Sequence, residues 1–461
     1  MKWWTGEYLA SGKRRFESRG GFTDEDEAFT YGQDQMYEIR HGTHVSNRDG
    51  STLMTDWLDD WLESIDLAHL SLRNYKSIIN KHIRPRYENK TVADVDLIST
   101  RAFRKHLNNS GLRKSSIQNI WMVFGMVMDD AAAAGLCKTS PVERQRRRGK
   151  YTKKPRERKK DMTATAVNQL ALNANARWGY AGYVFIWTMA LTGMRPAELF
   201  GLTREYCYPN WPASDPRNDP DEEDRYDEDV VRYGRGSELM PAIRVEQQVQ
   251  YEDGKLLFFP PKYGSKRTLV IPPFLAQLLE KLLESHEQSW VFPAPEGGCL
   301  GRIAFSKVYW RPIADGCDAL NGPRGQRPAI EAVPSFQGRR LYLIRHGHKS
   351  WLDEDGHARF TVETRMGHEV PGVEGTYSSV TVPMERAVMD ALQKRWEGLG
   401  DVECDPPSPG AVRLSIASLV RAAIASGVEG WRDVLAEVRR VRPEVSERTV
   451  KRTVQHVRSK G

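Results

Sequence analysis

The sequence is poor in the residues that would build a disulfide framework or a zinc site. Only five of its 461 residues are cysteines, they are widely spaced, and no two form a CxxC pair. A disulfide-stapled secreted domain is therefore excluded, and a reducing cytoplasm is the expected location. Long apolar runs are also missing. The longest stretch, Tyr180–Met194, spans 15 residues with a tryptophan and a threonine inside it, which is too short for a bilayer and predicts a buried helix.

Two further absences concern targeting and nucleotides. The N-terminus lacks the apolar core of a signal peptide, and no Walker-type loop for a nucleotide is present. We therefore expect no membrane partner and no use of ATP. What the chain does carry is a positive balance of 68 basic against 61 acidic residues, a net charge of +7 with pI near 9.0. That favours a polyanionic partner where the basic residues cluster.

Composition changes along the chain predict several folded segments. Residues 1–45 combine short β runs, broken by glycines, with a helix that follows Thr23-Asp24 and runs to Arg40. This unit is either a surface hairpin or a minor DNA-binding module. Residues 52–142 show apolar residues at helical spacing throughout and predict a compact all-helical domain with basic surfaces.

Residues 143–160 form a basic linker, since 11 of the 18 are Lys or Arg and almost none is apolar. A solubilising or localisation tract is the alternative to a strap along DNA phosphates. A position between two folded units favours the strap. The DNA-binding candidates in it are Arg146, Arg147, Arg148, Lys150, Lys153 and Lys154.

Residues 161–397 predict a mixed α+β domain. It contains a buried helix over 178–192, strands over 243–249, 255–259 and 267–271, and an acidic insertion at 213–229. After a proline-rich break, residues 411–461 predict three short helices, the last with a basic face. That segment is either a helix-turn-helix unit or a packing or oligomerisation appendage.

Five residues in chain order could handle a phosphodiester. Arg195 follows a helix-ending glycine, and Glu198 in the next first turn could orient it. Lys262 lies on a turn between two predicted strands. Arg345, His368 and Tyr377 follow in one stretch. Arginine clamps phosphate, histidine can donate to its oxygens, lysine can protonate a leaving oxygen and tyrosine can be a covalent nucleophile.

These motifs resemble the tyrosine recombinase (phage integrase) family, in the type found in actinobacterial phages and integrative elements. They read TGMRPAEL, the Lys262 turn, LIRHGHKSWL, MGHEVPG and GTYSSVT, and the match covers residues 161–397. The resemblance implies a mainly α multidomain protein with small β parts: a β-β-β-α arm-type DNA-binding domain, a helical core-binding domain, and an α+β catalytic domain that forms a clamp around DNA with it.

The resemblance also implies the chemistry. Arg195, Arg345 and His368 would bind the scissile phosphate, Tyr377 would form a 3′-phosphotyrosine, and Lys262 would protonate the 5′-oxygen. No metal or other cofactor is expected. The implied partners are double-stranded attachment sites and a homotetrameric synapse, with a directionality factor and a host DNA-bending protein as possible accessories. The implied location is cytoplasmic, with the nucleoid.

One position departs from the family pattern. Tyr342 stands where a histidine usually precedes the second arginine by three residues. A neutral phenol is a poor base at pH 7 but can still donate a hydrogen bond. His346 or His348 could compensate, and His346 is the better candidate because it lies one helical turn from Tyr342. Lys266 is a fallback for Lys262. The departure leaves a second hypothesis open, a catalytically weakened relative that mainly binds DNA.

Overall fold

The chain divides into two compact units, Met1–Pro155 and Arg156–Gly461, and the boundary falls within the basic linker. The computed structural model describes residues 1–41, 44–46, 50–143, 162–211, 240–252, 255–294, 298–322, 325–370, 380–399, 416–441 and 445–458. The predicted acidic insertion and most of the basic linker lie outside these ranges. Each unit is described by itself below.

The first unit opens with a β-hairpin packed against a helix. Its elements are β1 (Lys2–Tyr8), β2 (Arg14–Ser18) and α1 (Glu25–Arg40). Trp3 is buried and meets Tyr31 of α1 edge-on, with ring centroids 5.5 Å apart. Asp24 caps α1 by accepting the Glu27 amide at 2.7 Å. In residues 1–41 two strands precede the helix where the resemblance implied three, and Gly21, at φ 84°, lies between β2 and α1.

The rest of the first unit is helical. Its helices are α2 (Met54–Ser64), α3 (His69–Ile78), α4 (Arg84–Tyr87), α5 (Leu97–Asn109) and α6 (Lys114–Ala133), with a π-helical turn at Ile79–Ile83. Trp61 is 1% exposed, and its indole N–H donates to Asp130 at 2.7 Å. Phe124 packs against Tyr87 and Phe103 in the same core.

The second unit is built around a helix that is buried on all sides. Its first helices are α7 (Ala164–Trp178), α8 (Tyr180–Thr192) and α9 (Pro196–Phe200). Thr163 caps α7 by accepting the Ala166 amide at 3.1 Å. Gly179, at φ 82°, separates α7 from α8, so the buried helix begins two residues later than predicted. Gly182 lets α8 pass close to α7, because a Cβ there would lie 2.5 Å from the Ala174 carbonyl oxygen.

Two separate antiparallel pairs replace the predicted run of strands. They are β3 (Ala242–Val245) with β6 (Arg267–Val270), and β4 (Gln248–Glu252) with β5 (Lys255–Phe259). The single strand predicted over 243–249 is therefore wrong. Pro260 and Pro261, which have no N–H, end β5 and separate it from β6. The strands that pair with these two, β4 and β3, are therefore separate as well, with the break between Val245 and Gln248.

The remaining elements complete the second unit. They are α10 (Pro273–Glu284), α11 (Arg302–Phe305), a π-helical turn (Ser306–Trp310), α12 (Arg311–Asp315), β7 (Leu320–Gly322), β8 (Gly325–Arg327), α13 (Tyr342–Glu354), α14 (Arg359–Met366), α15 (Val382–Glu397), α16 (Ile416–Ala425), α17 (Trp431–Val441) and α18 (Glu447–Arg458). The predicted class, mainly α with small β parts, is confirmed. Within the described ranges, no helix combines the length and apolarity needed to cross a bilayer.

Candidate active site

Arg195 lies where the buried helix α8 gives way to the short helix α9. Helix α8 ends at Gly193, whose φ of 64° is in the left-handed region. The Arg195 N–H donates to Glu198 Oε2 at 2.8 Å, and its Nη1 donates to Glu198 Oε1 at 2.7 Å. Its Nη2 reaches the Gly367 carbonyl oxygen at 3.1 Å. One carboxylate thus fixes both the backbone and the guanidinium of Arg195.

Glu198 joins a second arginine to the first. It is 1% exposed, and Arg267 of β6 donates Nη2 to its Oε2 at 2.9 Å. Burial alone raises the pKa of Glu198, but the charge and hydrogen bond of Arg267, together with Arg195, bring this pKa below its ordinary value. The carboxylate is therefore ionised at neutral pH. Arg267 was missed by sequence reasoning, although an arginine opening an otherwise apolar strand was an available signal.

Arg345 is buried in helix α13 and reaches two turns of the chain. Only 1% of it is exposed, and it donates to the carbonyl oxygens of Gly193 and Met366, each at 2.5 Å. Burial, and next the charge of Arg195, lower the pKa of Arg345 to about 10. It remains protonated at neutral pH. Arg195 and Arg345 bind the adjacent carbonyls of Gly367 and Met366, so the two cations are neighbours and an anion between them would relieve their repulsion.

His368 directly follows Met366 and Gly367, whose carbonyls accept from the two arginines, and it also contacts Arg345. Its Nε2 lies 3.1 Å from Arg345 Nη2, and its Nδ1 lies 2.5 Å from Glu363 Oε2. Arginine can only donate, so Nε2 accepts and Nδ1 carries the proton that Glu363 binds. Burial raises the pKa of Glu363, but the hydrogen bonds from His368 and Lys349 lower it overall. Sequence reasoning missed Glu363 and Lys349, which orient the histidine.

Tyr342 stands at the first residue of α13, next to the second arginine. Its ring centroid is 5.9 Å from Arg345 Cζ and 5.1 Å from the His346 ring, which it meets edge-on. The side chain is partly open, at 37% exposed. The Arg345 guanidinium thus lies over the Tyr342 ring, and His346 is the neighbour of Tyr342 one helical turn on.

The Lys262 turn contacts the cluster through Ser265, at the end of the turn that follows Lys262. Lys262 is exposed, and its Nζ lies 4.7 Å from the ring of Tyr263, which itself has a φ of 64°. Ser265 donates to the Lys262 carbonyl at 2.9 Å and abuts Gly367, where a Cβ would lie 2.9 Å from its Oγ. Lys266, the fallback, is bound to Glu246. Lys262 is therefore the lysine that the turn presents outwards.

His348 and Arg365 form a buried support beneath the two arginines. His348 is fully buried, its Nδ1 donates to the Ala190 carbonyl at 2.8 Å, and Arg365 donates Nε to its Nε2 at 3.4 Å. Arg365 also donates to Leu191 at 3.0 Å. Burial, then the charge of Arg365, hold the pKa of His348 well below its ordinary value. The sequence offered His348 only as a substitute base, a role that its burial excludes.

The nucleophile candidate, Tyr377, lies outside the described residues. So do the linker candidates Arg146, Arg147, Arg148, Lys150, Lys153 and Lys154. The structure brings together Arg195, Arg345 and His368, with Tyr342 and the Lys262 turn beside them. Within the described part of the chain, no cluster of His, Cys, Asp and Glu side chains is placed to hold a metal ion.

Comparison with known proteins finds a sequence relative among the integrases. The chain is 25% identical over 314 residues to the ICEBs1 integrase of Bacillus subtilis (strain 168), covering 64% of this chain and 70% of the relative. No family model matches. This relationship confirms the predicted resemblance to a tyrosine recombinase, and the actinobacterial type is not confirmed.

Solved structures resemble the chain more weakly. The Tn1549 transposon integrase in complex with a circular intermediate DNA matches at 14% identity and a TM-score of 0.49, covering 74% of this chain and 100% of that one. A lambda integrase tetramer bound to a Holliday junction matches at 16% identity and a TM-score of 0.47, covering 81% and 94%. At these scores the likenesses support no conclusion alone.

Proposed function

We propose that this tyrosine recombinase is a site-specific integrase that cuts and rejoins DNA to integrate and excise a mobile element. The observation that carries the proposal is a pair of guanidiniums, those of the half-buried Arg195 and the buried Arg345, bound to adjacent carbonyls of one turn beside His368. Two neighbouring guanidiniums fit the non-bridging oxygens of a phosphodiester. Glu198 keeps the first cation in place, and the backbone keeps the second.

The proposed reaction combines these positions with the order of the motifs in the chain. The Tyr377 phenol loses its proton to solvent and its oxygen attacks phosphorus, the bond from phosphorus to the 5′-oxygen breaks, and a 3′-phosphotyrosine forms. Lys262 donates a proton to the departing 5′-oxygen, and Arg195 and Arg345 stabilise the charge on the phosphoryl oxygens. Rejoining reverses the step with the 5′-hydroxyl of another strand. The phosphodiester energy is conserved in the tyrosyl linkage, so the reaction needs no ATP, and the two guanidiniums supply the positive charge that stabilises the phosphoryl oxygens.

The partners follow from the same proposal. Double-stranded attachment sites are the substrates, and exchange between two of them uses four copies of the chain. Residues 143–160 would lie along DNA phosphates, because 11 of 18 are Lys or Arg. A directionality factor and a host DNA-bending protein are further candidate partners.

The alternative prediction, a weakened relative that mainly binds DNA, is not favoured. It rested on Tyr342 in place of a histidine. Arg195, Arg345 and His368 are nevertheless placed together, and the ring of Tyr342 lies 5.9 Å from Arg345 Cζ. The sequence relative is itself an integrase.

A suicide substrate tests the proposal. A nicked duplex carrying the attachment core is incubated with the full chain, and covalent adducts are counted after denaturation in detergent. Wild type should give an adduct, and Tyr377→Phe should give none. The control is Tyr251→Phe, a change at an exposed tyrosine of β4, which should leave the adduct in place. An adduct from Tyr377→Phe, or none from wild type, would refute the assignment.

A further inference from the structure

The last three helices, α16 to α18, form a small module with a core of its own. All three pack against one another. The module's buried apolar side chains include Val420, Leu435, Val438, Val445, Val450 and Val454. Helix α18 contributes two valines four residues apart to this core, so its opposite face is left outside.

The outward face of α18 is strongly basic. Arg448, Lys451, Arg452 and Gln455 are all exposed and recur at helical spacing, so they share one face. The helix has four basic residues against a single acid, Glu447. A face that only meets solvent usually mixes both signs along the helix. This one presents long cationic and amide side chains instead.

The neighbouring helix α17 shows the contrast. It carries two acids against three bases, and one of each, Glu437 and Arg440, form a pair 2.8 Å apart. At its start Trp431 stands between two cations, with Arg432 Cζ 5.4 Å and Lys451 Nζ 5.1 Å from its ring. The basic surface of α18 therefore continues across Trp431 onto the beginning of α17.

We propose that this module is an additional duplex-DNA-binding unit, in which α18 places its exposed face in the major groove. Arg432 would then lie at the adjoining phosphates. Arginine reads guanine edges and glutamine reads adenine edges there, and both occur on the face. The 12-residue helix is about 18 Å long and fits a groove about 12 Å wide. This contact goes beyond the proposed strand exchange and does not depend on it.

The test measures binding without cleavage, so all variants carry Tyr377→Phe in the full chain. Duplexes bound by the full chain are selected from a random-sequence library, and the salt dependence of binding is measured on the best of them. Arg448→Gln with Arg452→Gln removes two charges and leaves Lys451 on Trp431. The matched control, Arg421→Gln with Arg440→Gln, removes two exposed charges from the other helices of the same module.

The two-charge variant of α18 should bind the best duplex about tenfold or more weakly. Its log–log salt slope should be shallower by about 2. The control should change the slope by less than about 0.5, and both should keep the wild-type helix content. Equal effects of the two variants, or none, would overturn the proposal. So would equal affinity for an RNA duplex, whose deep narrow major groove excludes a helix. A change of oligomeric state without a change in DNA binding would assign the helices to self-association instead.

Discussion

Replacement of Gly193 by alanine probes how the two arginines are held. Gly193 has a φ of 64°, and a Cβ there would lie 2.4 Å from His348 Cδ2. Its carbonyl oxygen accepts Arg345 Nη1. The substitution therefore strains the backbone, collides with a buried ring that is itself hydrogen-bonded on both nitrogens, and moves the acceptor of a catalytic guanidinium.

The loss of stability caused by Gly193→Ala can be separated into two contributions by comparison with a matched glycine. Gly356, at the end of α13, has a φ of 76° and nothing within 4 Å of a Cβ. Gly356→Ala should cost only the left-handed strain, about 1–2 kcal/mol. Gly193→Ala adds overpacking against His348, a further ~1–3 kcal/mol. The total for Gly193→Ala is thus about 2–5 kcal/mol.

Thermal unfolding of the full chain measures the loss of stability, and the rate of adduct formation on the suicide substrate measures the loss of activity. The unfolding temperature should fall clearly further for Gly193→Ala than for Gly356→Ala. Cleavage should fall about 100-fold for Gly193→Ala, since a shift of about 1 Å in a positioning group has that effect. Cleavage by Gly356→Ala should stay near wild type. Equal losses of stability and activity in the two variants would refute the placement of His348 beneath this turn.

Three further changes test the same cluster. Glu198→Gln should destabilise the protein by about 3–5 kcal/mol, because it leaves the buried Arg267 and the half-buried Arg195 without their carboxylate. Asp353→Asn, at a pair whose carboxylate is 56% exposed, should cost under ~1 kcal/mol; equal costs in denaturation would contradict this. The folded pKa of His348 lies below 6.5, so the unfolded chain binds more protons as pH falls through 6.5. Stability should be full above that pH and fall below it by up to about 1.4 kcal/mol per pH unit, and His348→Gln should flatten the profile. Tyr342→Phe should slow adduct formation about tenfold or more without altering stability, and an unchanged rate would leave the hydroxyl without a role.

Several features of this protein follow from local chemistry, and the sequence predicted them. Asp24 caps a helix because a short polar side chain can reach an amide three residues on. Gly193 ends a helix because it tolerates a left-handed conformation. The order of the arginine, lysine, histidine and tyrosine motifs also lies in the chain itself, and it sufficed to indicate the family.

Tertiary structure decided the rest. The strand predicted over 243–249 divides because its partner is interrupted at Pro260 and Pro261, which periodicity within 243–249 cannot register. Arg267 of β6 and Arg365 of α14 became parts of the cluster only when strand and helix packed beside α8. Their neighbours in the sequence do not reveal such partners.

Arg345 shows the division most clearly. The sequence marked it as a phosphate-binding residue, but its geometry depends on the Gly193 carbonyl, 152 residues away, and the Met366 carbonyl, 21 residues away. Every residue has a backbone carbonyl, so residue identity does not show which two carbonyls accept these hydrogen bonds. Packing alone selects them, because a buried guanidinium has to satisfy its donors with whichever acceptors the fold brings within reach.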